Sequence, residues 1–455
     1  MTRYRMETRV FLFAIIVIFI NVLILHKTFS GLERENMIDP GGTNHRHSSM
    51  DMYSIFESRL RKLTEVSFDR GVHLEHLYPL SRDSATLGCQ DMVRMTNYRF
   101  LASGWTKAVY SASYNNKTYA VKTVFPKGRD ISSCLEEGHL YDKCFYKAAK
   151  KLVKEISLLQ KLSHPNIVQV FGFCITSDNL YDVSMVTELG DPVELIRLLQ
   201  MSWEDRLKVA YDITKLLYFM AHNQFGTISI NDFRRQQFVR VNDEIKLSDV
   251  DDIGFGDPIC QTDDDCTVTF PNANFSLRIS CQNLRCIGHN EKKNIFNAGR
   301  HFTTFLLPHG VPKGLQPLVD RVVLGYSNVT MNTKQLLYLM DKIVQMYGSG
   351  SYLNRNGTHT KVLYNKIPYQ DLPGIYDYPC RLSLTGYGCT VSVFDLQEAE
   401  ALCNADEQCL AFVFTKEQSW TGRTLIHMKS NVGYLNPNIN TNLYMYVKPT
   451  SSRLM

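Results

Sequence analysis

The sequence predicts an α+β fold of two lobes, β-rich first and helical second, followed by a small disulfide-rich C-terminal module. Three observations carry this. From about Cys89 to Leu189, short alternating runs rich in β-branched residues surround one strongly periodic helix. Residues 192–347 then turn mainly helical in period, and four closely spaced cysteines follow Pro368. At 455 residues, 44% apolar and 21% charged, the chain has enough apolar content for one large domain plus a smaller one, and wholesale disorder is excluded. A net charge of +5 is spread over short clusters such as Lys147-Ala-Ala-Lys-Lys151. No concentrated basic face emerges, so no nucleic-acid partner is expected.

The elements follow in order. Arg3, Arg5 and Arg9 precede an apolar run from Val10 to Leu25, interrupted only by Asn21. This predicts a signal peptide or type II signal anchor over residues 1–30, with Thr28-Phe-Ser30 a candidate cleavage site. Membrane attachment is expected only through this segment, if it stays uncleaved. Residues 31–88 read as a polar stem, with a short amphipathic helix over Ser54–Leu63. Phe100–Tyr110 and Lys117–Val124 read as a strand pair joined by Tyr114-Asn-Asn-Lys117. Ala148–Leu162 reads as a helix on the spacing of Leu152, Ile156, Leu159 and Leu162. Val168–Phe173 and Val183–Leu189 are two further strands. Residues 192–222 form two helices parted near Met201-Ser202, with Ser202 the second N-cap. Phe238–Val241 and Ile245–Ser248 flank an Asn242-Asp243 turn, and Asn294–Leu307 and Thr333–Tyr347 are helical. The main domain is expected over 89–348 and the cysteine-containing module over 349–455.

Twelve cysteines, many in close pairs (Cys134/Cys144, Cys260/Cys266, Cys281/Cys286, Cys380/Cys389, Cys403/Cys409), point to an oxidising compartment and leave their connectivity open. No C-x2-C spacing supports a zinc site. Sequons at Asn116, Asn274, Asn328 and Asn356 are candidate N-glycans. With the N-terminal segment, they place residues 31–455 outside the cytosol.

The chemistry lies in six strings. Leu101-Ala102-Ser-Gly104-Trp-Thr-Lys107-Ala-Val109-Tyr110 retains the central glycine of G-x-G-x-x-G-x-V, with Ala102 and Lys107 at the outer glycine positions. Tyr119-Ala120-Val-Lys122 ends a strand on an ammonium. Glu155 sits on the periodic helix ahead of His164-Pro-Asn-Ile-Val168; thirty-two residues lie between Lys122 and Glu155, including Cys134 and Cys144, which suggests a disulfide-pinned insertion. Met185-Val-Thr187-Glu188-Leu189-Gly190 is a buried strand ending at a turn. Ser229-Ile-Asn231-Asp232-Phe-Arg234-Arg-Gln-Gln237 precedes Asp249-Val-Asp251-Asp252, with the two aspartates seventeen positions apart.

In register, these strings resemble the protein kinase family. The resemblance implies that Lys122 pairs the α/β-phosphates of ATP, that Glu155 holds Lys122 extended, and that Ala102, Gly104, Val109 and Ala120 cover the nucleotide. Thr187 takes the gatekeeper position, and Glu188, Leu189 and Gly190 form the hinge to adenine. Asp232 is the expected base, Arg234 a neutralising cation, and Asp249 with Gln237 the ligands of Mg²⁺ or Mn²⁺. The family's His-Arg before the first aspartate is Ile230-Asn231 here, and the Phe-Gly after the second is Val250-Asp251. The missing arginine removes the usual clamp on a phosphorylated loop, and the four cysteines from Cys260 to Cys286 suggest that disulfides hold that segment instead.

A narrower resemblance rests on Gly104-Trp-Thr-Lys-Ala-Val-Tyr110, Ser202-Trp-Glu-Asp-Arg206, Asp249-Val-Asp-Asp252, Asn290-Glu-Lys-Lys-Asn294 and Ser419-Trp-Thr-Gly-Arg423. These strings are similar to the vertebrate lonesome kinases, secreted tyrosine kinases. That resemblance implies Golgi residence, secretion, and tyrosine phosphorylation of secretory-pathway and extracellular proteins. The alternatives are a lumenal O-mannose-type glycan kinase and a catalytically dead scaffold. In the tail, Phe394–Cys403 reads as a helix and Gln408–Phe414 as a strand. This pairing resembles apple (PAN-like) modules, with a purely structural appendage as the other reading.

Overall fold

The computed structural model describes residues 80–81, 86–175, 183–270, 273–353 and 364–446, all within one compact unit of residues 61–455. The expected N-terminal segment, most of the stem, the Ser54–Leu63 helix and Asn356 lie outside the described residues. Among the described residues, no helix is long and apolar enough to cross a membrane.

The first lobe is a five-stranded antiparallel sheet in the order β1-β2-β3-β5-β4, built from Thr96–Ser103, Lys107–Tyr114, Lys117–Val124, Val170–Ile175 (β4) and Val183–Glu188 (β5). The single strand expected over Phe100–Tyr110 is in fact two. Gly104 donates its N–H to the Lys107 carbonyl at 2.8 Å, closing a tight turn that folds β2 back on β1. The β2–β3 hairpin turns at Asn115 and Asn116, whose φ values of 48° and 60° fit the left-handed turn that asparagine tolerates. Helix α1 (Cys89–Arg94) is tied to β4 by Cys89–Cys174, and α2 (Arg129–Glu136) to α3 by Cys134–Cys144. The long helix α3 (Tyr141–Lys161) starts seven residues before the expected helix. It packs Leu152, Val153, Ile156 and Leu159 into the core with Val168, Phe173 and Met185.

After the short β6 (Asp191–Pro192), the second lobe begins with α4 (Leu195–Gln200) and the central α5 (Trp203–Ala221). Ser202 caps α5 as expected, its hydroxyl accepting from the Asp205 N–H at 3.1 Å. Strands β7 (Ile228–Ile230), β8 (Phe238–Val241), β9 (Glu244–Leu247) and β10 (Ile253–Phe255) flank the Asp232 and Asp249 loops, with β10 antiparallel to β7. Two small hairpins follow, β11–β12 (Thr267–Thr269, Ser276–Arg278) and β13–β14 (Cys281–Gln282, Arg285–Cys286). Helix α6 (His289–Ala298) runs through a wider π turn, Gly299–Thr303, to Leu306. It begins before the expected Asn294 because residues 289–294 are polar and the apolar period starts only at Ile295. Helices α7 (Gln316–Ser327) and α8 (Thr333–Gly348) complete the lobe.

The last described residues form a second antiparallel sheet, β15-β19-β17-β18-β16 (Tyr364–Asp371, Cys389–Val393 (β16), Ala411–Gln418, Thr424–Lys429 and Asn436–Tyr446 (β19)), with α9 (Leu396–Ala405) against it. Cys380–Cys389 and Cys403–Cys409 pin this module around Val391, Phe412 and Met428.

A buried polar seam joins the module to α5 and α8. Glu204, 2% exposed, accepts from Thr421 at 2.7 Å, from the Tyr347 hydroxyl at 3.4 Å, and from the Ser392 hydroxyl. Arg423, also 2% exposed, donates to Glu398 at 2.6 Å and to the carbonyls of Tyr347 and Ser392, with its guanidinium 4.2 Å over the Tyr347 ring. A Cβ on Gly348 would come within 2.7 Å of the Thr421 carbonyl, so glycine is what lets the end of α8 approach this turn. Trp203 and Trp420 seat the same seam, one donating to the Leu307 carbonyl at 3.0 Å and the other stacked on Tyr211.

Candidate active site

Strand alternation puts the first group of site residues on one face. Val109 pairs with Lys122 across β2–β3, and Ala120 with Thr187 across β3–β5; Lys107 lies two residues before Val109, on the same side. Lys122 donates to Glu155 of α3 at 2.9 Å and to the Ser248 carbonyl at 2.5 Å. Lys107 reaches the same place. Its ammonium lies 2.6 Å from Glu155, 2.7 Å from Asp249 and 3.1 Å from Asp251. Glu155, fully buried, therefore bridges two lysines, one oxygen to each. Lys154, the residue before Glu155 on α3, donates to the Asp251 carbonyl at 2.6 Å and braces the Asp249-Val-Asp251 turn.

Neither Lys107 nor Asp251 stood out in the sequence, where they read only as lost glycines of family motifs. The signal that could have found them is the two-residue period: a lysine in phase with Val109 must point into the cleft.

Burial works against all these charges, and the outcome differs by residue. Burial disfavours the Lys107 ammonium, but Glu155, Asp249 and Asp251 outweigh it and hold its pKa well above the ordinary value. Burial raises Asp249 too, yet Lys107 and Lys122 hold that carboxyl well below the usual range. For Asp251, burial and the neighbouring carboxylates prevail over Lys107 and push it up to about 7.

Asp232 sits on the loop after β7, at the mouth of the cleft. Arg234 grips it with two bonds of 2.5 Å, and the Gln237 amide also donates to it. Gln237 thus reaches Asp232 among its described contacts, where the sequence suggested a partner for Asp249. Phe233 anchors the loop below, packed against Phe238 and Phe302; replacing such a buried ring with alanine costs about 3–5 kcal/mol.

At the hinge, Thr187 is buried and Glu188 is engaged by Lys246 at 2.8 Å and by the Gln169 N–H at 2.9 Å. Gly190 passes so close to β8 that a Cβ would lie 2.8 Å from Val239 and Val241. Ala102 is exposed at the end of β1, and a Cβ on Gly104 would meet nothing within 4 Å. No packing demand therefore explains the glycine.

The segment after Asp249 is fastened by disulfides and hydrogen bonds. Cys260–Cys281 and Cys266–Cys286 cross-link it, joining cysteines that are not nearest neighbours in sequence. The Asp257 carboxylate takes the backbone N–H groups of Gly288 and Asn290 at the start of α6. The Asn290-Glu-Lys-Lys-Asn294 string then braces the surroundings residue by residue. Asn290 donates to the Gly256 carbonyl, Glu291 accepts from Thr333, Lys292 holds the carbonyls of Val329 and Met331, and Lys293 reaches Asn231. Asn294 accepts from the Ile230 N–H and donates to the Ile228 carbonyl, fixing the strand that leads to Asp232.

Residues 139–250 match the family of protein tyrosine and serine/threonine kinases. Over 362 residues the chain is 38% identical to the human extracellular tyrosine-protein kinase PKDCC, covering 79% of this chain and 73% of that protein. This chain belongs to the PKDCC family of protein kinases. Shorter matches include the RasGEF domain-containing serine/threonine-protein kinase X of Dictyostelium discoideum, 30% identical over 112 residues, 22% of this chain and 12% of that one. The human dual specificity testis-specific protein kinase 2 is 33% identical over 70 residues, 15% of this chain and 12% of that protein. The two-lobed arrangement is therefore a kinase fold, and its family generally uses ATP and a divalent metal. Glu155, Asp249 and Asp251 have carboxylate oxygens within 4.8 Å of one another, a hard-oxygen set that suits Mg²⁺ or Mn²⁺.

Proposed function

We propose that this chain is a secreted and Golgi-lumenal kinase that transfers the γ-phosphate of ATP to tyrosine hydroxyls of secretory-pathway and extracellular proteins. The observation that carries the reading is the Lys122–Glu155 ion pair at 2.9 Å, set within reach of Asp249 through Lys107. Phosphoryl transfer asks mainly for positioning and charge. In this reading Lys122 holds the α/β-phosphates while Glu155 keeps it extended. Val109, Ala120 and Thr187 wall the adenine, and Glu188–Gly190 meet its edge. Asp249, with Gln237 once its amide turns from Asp232, holds the metal that screens the phosphates when bound. Asp232 orients the acceptor hydroxyl and takes its proton, and Arg234 neutralises the transferring group on leaving Asp232.

Tyrosine as the acceptor follows the human relative's name and is proposed for this chain on that similarity. The oxidising compartment is supported by the cysteines, all twelve of which are paired in six disulfides. Asn116, Asn274 and Asn328 are exposed, as N-glycan acceptors must be. We take residues 89–348 as the kinase domain and 349–455 as a module seated on it. The test is incubation of the secreted protein with radiolabelled ATP and secreted protein pools, followed by phosphoamino-acid analysis. Phosphotyrosine is expected. Sugar phosphate would point to a glycan kinase instead, and no transfer to a scaffold. Lys122→Met should abolish transfer and Asp232→Asn reduce it by about 10²–10⁴-fold, neither reducing secretion.

A further inference from the structure

Three carboxylates meet in the cleft, and what lies among them is a side chain. The Lys107 ammonium is within 3.1 Å of Glu155, Asp249 and Asp251 at once, and the residue is 8% exposed. Those same three carboxylates form the cluster whose geometry suits a metal ion. Like charges packed this closely cannot all stay ionised without a cation among them.

We propose that Lys107 is a resident cation that replaces one of the two divalent ions protein kinases ordinarily bring to ATP, so that this enzyme binds a single metal ion, carried in with the nucleotide. The proposal deepens the kinase reading and rests on the cleft being the nucleotide site.

Two further observations point the same way. In protein kinases the two ions are held by the aspartate of the second motif and the asparagine of the catalytic loop. Here one carboxylate oxygen of Asp249 is taken by the Lys107 ammonium at 2.7 Å, and Gln237, at the asparagine's position, donates its amide nitrogen to Asp232, which leaves the other Asp249 oxygen and the Gln237 oxygen for one ion. The cluster's charge also leaves room for little more. Two ammoniums, Lys107 and Lys122, already stand among the three carboxylates. A second ion in that cluster would have to displace the Lys107 ammonium from all three carboxylates. Lys107 is placed for the task by the backbone. Its carbonyl closes the turn with Gly104 and its side chain follows the inward phase of β2, so the loop that covers the phosphates carries the cation with it.

The test is Mn²⁺ binding followed by electron paramagnetic resonance on the secreted protein, with and without a non-hydrolysable ATP analogue. Wild type is expected to hold no tight Mn²⁺ without the analogue and one ion per bound analogue with it. Lys107→Gln should bind Mn²⁺ without nucleotide at least tenfold more tightly than wild type and take two ions with the analogue. Lys107→Arg, which keeps the charge, should behave as wild type. Two ions per analogue in wild type would overturn the proposal alone, as would tight Mn²⁺ binding to nucleotide-free wild type. So would a Lys107→Arg variant that matches Lys107→Gln. Absence of analogue binding altogether would overturn the kinase reading and this proposal with it. The wild-type stoichiometry decides the matter even where a variant fails to fold.

Discussion

The interlobe cleft and the seam beneath the C-terminal module both bury charge, and they resolve it in opposite ways. In the seam, Arg423 has a carboxylate, two carbonyls and an aromatic ring around it, and Glu204 is met by three hydroxyls. Both charges are met within the protein, although the buried Trp420 indole N–H beside them has no partner among the described residues. In the cleft, carboxylates outnumber ammoniums, and the Asp249 and Asp232 side chains keep 25% and 28% of their surface exposed. A satisfied network rigidifies, whereas one left short of charge and open on one side is poised to take something up. The difference separates what holds this molecule together from what it works with.

Changes in the two regions should therefore separate cleanly. Asp232→Asn is expected to lower kcat by about 10²–10⁴-fold, the usual worth of a positioned base, with no loss of thermal stability. Arg423→Ala should do the reverse. It strands Glu398 in a buried site and removes about 3–5 kcal/mol of stability in denaturant unfolding, while the folded fraction keeps its kcat. A large stability loss in the first variant, or a rate loss without a stability loss in the second, would break the comparison.

The cross-linked segment after Asp249 lies between the two regimes. Cys266→Ser with Cys286→Ser opens a loop of 20 residues, a constraint worth about 3 kcal/mol. Faster proteolysis within 257–288 and a KM for protein substrate raised more than kcat is lowered are expected. An unchanged cleavage rate would show that Asp257 and the α6 string hold the segment alone.

The smallest effect is one of pH. Burial, with help from Lys215, pushes His164 down to about 4, and its Nδ1 accepts from the Asn166 N–H. A base depressed on folding is more readily protonated in the unfolded chain. Stability is then full above about pH 6.5 and declines as pH falls toward 4. The Tm should drop between pH 7 and 5, and less so in His164→Asn. A Tm flat over that range would remove this residue from the account.

Much of the fold was legible because its signals are periodic. Strand alternation, the Leu152–Leu162 spacing and the Ser202 cap all lie in local sequence. The split at Gly104 and the early start of α6 were not legible, since a tight turn between two strand-like runs and a polar helix N-terminus leave no apolar period. In the candidate site, Lys122, Glu155 and Asp249 were singled out through motif register, and the structure brings them together around Lys107 and Glu155. Lys107 and Asp251 were hidden by the same habit, because a departure from a motif was read as a loss when each brought a charge. The seam was invisible for another reason. Glu204 and Thr421 are 217 positions apart, and only the folded chain brings them to 2.7 Å.

The most direct measurement is isothermal titration of ATP with Mg²⁺ or Mn²⁺ into the purified secreted protein, beside its Lys122→Met and Asp249→Asn variants. Saturable binding in wild type that is lost in both variants is the predicted result. No binding in wild type, or equal binding in all three, would contradict the cleft as the site of nucleotide chemistry.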